Sequence, residues 1–88
     1  MNVHLLKSWT TWYPELVRTD KPRRRWEIRE DDRDFQEGDE LEIREFDPET
    51  HTFTGRSARF EIELVHTDTF LKLGYVVLQL STPRFIQS

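Results

Sequence analysis

The sequence predicts a mainly β fold of the α+β class: a small β-barrel of about five or six strands with one helix near the N-terminus. Three observations carry that expectation. Apolar and polar residues alternate with period two in several short runs, as half-buried strands do. Turn-forming residues such as Asp47-Pro48-Glu49-Thr50 separate those runs. Helix-start signals are confined to one segment, residues 10–19.

Val3-His4-Leu5-Leu6 is a short apolar run and reads as the first strand. Ser8 or Thr10 caps the helix expected over 10–19, with Pro14 in its first turns and Leu16 and Val17 facing inward. Trp9, Trp12 and Tyr13 cover the core or line a groove. Thr19-Asp20-Lys21-Pro22 is a loop, because Pro22 disfavours helical backbone at the residue before it. Residues 24–30 alternate as a strand, with Trp26 and Ile28 on one face and Glu27 and Arg29 on the other. Residues 31–37 are a turn-rich excursion anchored in the core by Phe35.

Residues 40–46 alternate again through Leu41, Ile43 and, less regularly, Phe46. Thr52-Phe53-Thr54-Gly55 begins the return strand. Residues 57–65 place Phe60, Ile62 and Leu64 inward and Arg59, Glu61 and Glu63 outward. Residues 67–73 are a loop or one helical turn. Gly74-Tyr75-Val76-Val77-Leu78-Gln79-Leu80 is continuous and β-branched, which predicts a central strand covered on both faces. Residues 1–82 are expected to form one domain and residues 83–88 a C-terminal tail.

Only 35% of the 88 residues are apolar, so the core is small, and its bulk comes from three Trp, six Phe and two Tyr. With no cysteine, disulfides and thiolate metal sites are excluded. No run is apolar enough for a signal peptide or a span, so a cytoplasmic protein with no membrane partner is expected. The net charge of -4 disfavours strong non-specific DNA binding. Charge is uneven, however: Arg18, Lys21, Arg23, Arg24, Arg25, Arg29 and Arg33 are seven of the 13 basic residues. A charge run is by default a solvated, salt-bridged surface. The sharper reading is a confined basic patch for phosphate.

His4, His51 and His66 lie on separate elements without ligand spacing, so no metal and no cofactor are expected. The three glycines are isolated, and no phosphate loop or nucleophile elbow is present. Two groupings remain. His4 and Lys7 bring two donors to the first strand, balanced by the plain reading of a half-buried His beside a surface Lys. Glu27 and Arg29 share a strand face, where a carboxylate can hold a planar guanidinium ready for a base or phosphate. The plain alternative is an exposed ion pair worth at most ~1 kcal/mol. Asp32-Arg33-Asp34 likewise reads as turn-capping aspartates or as part of the ligand cluster.

His4-Leu5-Leu6-Lys7, Trp26-Glu27-Ile28-Arg29, Asp31-Asp32-Arg33-Asp34-Phe35-Gln36-Glu37-Gly38-Asp39, Phe53-Thr54-Gly55-Arg56 and the run 74–80 follow one another in an order that resembles a small bacterial and phage family of unknown function (domain-of-unknown-function family 3850). That family is related to the ASCH domains of the PUA-like superfamily. The resemblance implies a PUA-like β-barrel and a cleft beside its helix that binds RNA or a nucleotide. It places His4, Lys7, Arg25, Glu27, Arg29, Asp32 and Arg33 at that cleft. Some ASCH-like proteins deacylate a modified cytidine with a Lys, a Thr and a Glu. Arg24 and Glu27 stand at the positions matching the Lys and Thr, and a permanent guanidinium is a poor base or nucleophile.

The resulting expectation is a nucleic-acid-binding module for single-stranded RNA or a nucleotide. Arg25, Arg29 and Lys7 contact phosphate, Glu27 and Asp32 orient the arginines or accept from a base edge, and Trp9, Trp12 or Tyr75 stacks a base. One alternative is a hydrolase of a modified nucleoside, with Glu27 or Asp32 as general base beside Lys7. Another is a protein-interaction domain presenting the acidic residues 37–49.

Overall fold

The computed structural model describes residues 2–20, 25–30, 33–67 and 74–87. Along them run β1 (Val3–Trp9), α1 (Tyr13–Val17), β2 (Arg25–Glu30), β3 (Glu40–Asp47), β4 (Thr52–His66), β5 (Tyr75–Leu80) and β6 (Arg84–Gln87). The strands hydrogen-bond in the order β1-β3-β4-β5-β2, with β6 on β4 beside that path. β1 is parallel to β3, and the other pairs are antiparallel. β4 is long enough to serve both halves: its first part pairs with β3 and β6, its last part with β5.

β1 and β2 are the two ends of this sheet and do not pair with each other. The expected barrel is therefore corrected to a mainly β sheet left open by a seam between its end strands. The core lies on the inner face. β3 contributes Leu41 and Ile43, β4 contributes Ala58, Phe60 and Ile62, and β5 contributes Val76, Leu78 and Leu80. Each Leu, Ile or Phe buried there stabilises the fold by roughly 1.5–3 kcal/mol. Leu6 of β1, Tyr13 and Leu16 of α1 and Phe35 of the β2–β3 connection complete the core.

Several expectations change for physical reasons. The first strand extends to Trp9 because β3 continues to pair with it, Trp9 opposite Phe46. The helix is correspondingly shorter than 10–19, and Arg18 ends it with extended backbone. Phe46 faces outward, and the in-phase inner residue is Glu45. Leu64 is 40% exposed, because the register of β4 shifts between Ile62 and Leu64. β5 pairs on both edges, yet only its Val76, Leu78 and Leu80 face is fully buried. Residues 84–87, expected within a tail, form β6. No helix among the described residues is long and apolar enough to cross a membrane.

Candidate functional site

The register of β2 decides what the seam contains. Arg25, Glu27 and Arg29 stand opposite Leu80, Leu78 and Val76, all buried. The charged face of β2 is therefore its inner face, while Trp26 and Ile28 face outward at 44% and 62% exposure. Inward-pointing charge on an end strand keeps that edge from pairing with another strand. Here it also walls a cavity of about 640 Å³ between the two end strands. Lys7, Trp9 and Trp12 line its β1 and α1 side, and Trp26, Glu27 and Arg29 its β2 side. Trp9 and Trp12 are 52% and 63% exposed, so they form an aromatic rim over a charged interior.

Arg29 spans the seam. Its Nε donates to Glu27 Oε1 at 2.9 Å, and its Nη2 donates to the backbone carbonyl of Lys7 at 2.7 Å. A guanidinium carries more donors than these two partners consume, so a planar cation is both fixed and still able to bind. The Lys7 ammonium lies 4.5 Å from the centroid of Phe46, a cation–π contact. Arg33 makes a parallel contact from the β2–β3 connection: its Nη1 donates to the Leu5 carbonyl. Beside it lies a second cavity of about 330 Å³, whose walls include Arg29, Arg33 and Tyr75.

Glu27 is largely buried, and that burial pushes its carboxyl above the ordinary carboxylate range; the charge and hydrogen bond of Arg29 partly offset the effect. With the folded-state value raised, the folded protein takes up this proton before the unfolded chain does. The group's contribution to stability is therefore fully present below the unfolded value of about 4.3 and is lost as pH rises through the folded one. Arg29→Ala removes the offset, so the Glu27 titration midpoint, followed by carboxyl 13C NMR, is expected to rise further. A midpoint that stays or falls would show that Arg29 does not act on this carboxyl.

Two residues placed at the cleft by resemblance do other work. Arg25 borders the cavity but is 4% exposed, and its guanidinium donates to the carbonyls of Leu16 (2.7 Å) and Arg18. Those are carbonyls that the end of a helix leaves without intrahelical partners, so Arg25 fastens α1 to β2 and thereby sets Trp12 over the cavity. His4 is buried, with Nε2 2.9 Å from Asp39 Oδ2 and its ring edge-on to Phe35 at 4.8 Å. Asp39 also accepts from the backbone N–H groups of Asn2 (3.0 Å) and Gln36 (3.2 Å), and it clamps the start of β1. Asp32 lies outside the described residues, as do Lys21, Arg23 and Arg24 of the basic patch.

The Asn2 N–H and His4 hold the Asp39 carboxyl below the usual carboxylate range, against the opposing effect of burial. A depressed folded-state value means that the unfolded chain binds the proton first. The stabilisation is present above about pH 3.9 and is lost as pH falls through the lower folded value. Asp39→Asn is thus expected to cost about 1–3 kcal/mol at pH 7. The difference from the native protein should shrink in urea melts below the ordinary Asp range; a pH-independent difference would contradict this assignment.

Other features were not anticipated. Ser8, Glu15 and Trp26 also line the larger cavity. For Trp26 the available signal was its place next to Glu27 in the same strand. Glu45 is fully buried, and its Oε1 accepts from Thr54 Oγ1 (2.7 Å) and Arg56 Nε (2.6 Å). Its signal was a carboxylate in phase with Leu41 and Ile43. The acidic stretch 37–49 is less negative as a surface than its sequence suggests. Arg44 lies 2.8 Å from Glu42, and Arg59 lies 3.3 Å from Glu42 and 3.5 Å from Glu40. Among the described residues, no three His, Asp or Glu side chains converge as metal ligands.

A search of curated proteins finds no match. Over residues 3–80, which include both end strands and every described residue of the seam, the chain matches the family described as a domain of unknown function (DUF3850), and it belongs to that family.

Proposed function

We propose that the seam between β1 and β2 binds single-stranded RNA or a nucleotide, in keeping with the likeness to ASCH and other PUA-like domains. The observation that carries this reading is Arg29, held between Glu27 and the Lys7 carbonyl inside a cavity rimmed by Trp9, Trp12 and Trp26. A pre-oriented guanidinium suits a phosphate, and exposed indoles suit the faces of bases. Lys7 adds positive charge at the rim, and Glu27 accepts from Arg29 or from a base edge. Tryptophan fluorescence titrated with a short single-stranded RNA tests it. Quenching should saturate, and affinity should weaken with added salt. An unchanged signal, or salt-independent affinity, would rule the reading out.

The position of Glu27 favours a second reading, a hydrolase acting on a modified nucleoside. A carboxyl with a raised pKa, at a cavity wall beside a cation, has the character of a general base. Turnover of acylated nucleosides that disappears in Glu27→Gln would select this reading over binding alone.

A further inference from the structure

Resting on the binding reading above, we infer that the seam takes two successive nucleotide units of a single strand, pulled apart from their stack, rather than one isolated nucleotide. The two cavities are neighbours along the seam. The larger is bordered by β2 from Arg25 to Arg29 and the smaller by Ile28 to Glu30, so that Ile28 and Arg29 belong to both. Each has an aromatic wall, Trp9 and Trp12 in one and the half-buried Tyr75 in the other. A base face can lie against either.

The cations set the step between units. Arg29 is fixed to the carbonyl of Lys7 and Arg33 to that of Leu5. These are carbonyls two residues apart on one strand, hence roughly 7 Å apart at about 3.3 Å per residue. Adjacent phosphates of one strand, joined through a single sugar, can span such a gap. Neighbouring phosphates of one strand can therefore meet both guanidiniums while their bases face different aromatic walls and cannot stack on each other. The structure offers one cavity to each. Strands that stack weakly lose less on being opened, so oligouridylate is favoured over oligoadenylate.

The test compares uridine 5′-monophosphate, the 5′-phosphorylated uridine dinucleotide and the corresponding adenosine dinucleotide, by tryptophan fluorescence at fixed salt. The uridine dinucleotide is expected to bind at least tenfold more tightly than the monophosphate and more tightly than its adenosine counterpart. Arg33→Ala and Tyr75→Ala should each erase most of the dinucleotide gain, weakening the dinucleotide several-fold more than the monophosphate. Arg33 is exposed in a connection, so its removal leaves the core intact. Equal affinity for monophosphate and dinucleotide, or equal weakening of both in Arg33→Ala, overturns the two-unit site and leaves the single-nucleotide reading standing. Absence of binding by all three nucleotides overturns both.

Discussion

Arg56→Ala is expected to remove about 3 kcal/mol of folding stability, a large share of what a domain of this size possesses. The reason is Glu45. Its side chain is fully buried, and Arg56 reaches Oε1 with both Nε (2.6 Å) and Nη2 (2.5 Å). Without that guanidinium the carboxylate keeps, among the described residues, only Thr54 as a donor. Glu45 Oε2 and the buried Tyr13 hydroxyl have no hydrogen-bond partner among the described residues. Breaking one side of a buried pair strands a charge, whereas neutralising both sides does not. The Arg56 side chain is 51% exposed, so water entering the gap places the cost toward the lower end of the range for buried pairs. Adding Glu45→Gln to Arg56→Ala should recover much of the loss in urea unfolding. A single-variant cost below ~1 kcal/mol would class this pair with ordinary surface ion pairs.

Arg29→Ala is expected to weaken single-stranded RNA binding by about 10–100-fold, the loss of a charged hydrogen-bonded contact worth about 1.5–3 kcal/mol. It should also make the salt dependence shallower by about one phosphate contact. Arg29→Lys is expected to restore little, because an ammonium cannot reproduce the fork that bridges Glu27, the Lys7 carbonyl and a ligand. Urea melts accompany these titrations. Arg29 also ties the two end strands together, so a modest loss of stability is expected, with binding lost well below the denaturation midpoint. Full affinity in Arg29→Ala would remove this residue from the site.

The parity of β2 was legible: Glu27 and Arg29 do share a face, as do Trp26 and Ile28. Which face turns inward was not, because apolar Trp26 and Ile28 look like core. Strand order decides it, and the contacts that set strand order are far apart in sequence. The clamp between His4 and Asp39 shows the same limit, since it joins residues 35 positions apart. His4 therefore resembled a free donor, and Arg25 resembled a phosphate ligand until the carbonyls of Leu16 and Arg18 appeared beside it. Glu45 was readable in principle, as the polar residue in step with Leu41 and Ile43. β6 gave no signal because all four of its residues are exposed, so no alternation marks it, and its partner β4 lies far back in the chain. The pairing of Glu27 with Arg29, by contrast, follows from two positions of one strand and needs no tertiary information.

Entry of ligand into the gap between β1 and β2, as proposed, is to be read from amide and indole NMR shifts on addition of a short oligouridylate. The largest changes are expected on Lys7, Trp9, Trp12, Trp26 and Arg29, with the outer face around Glu42, Arg59 and Arg84 unmoved. Shifts concentrated on that outer face, or none at saturating oligonucleotide, would contradict it.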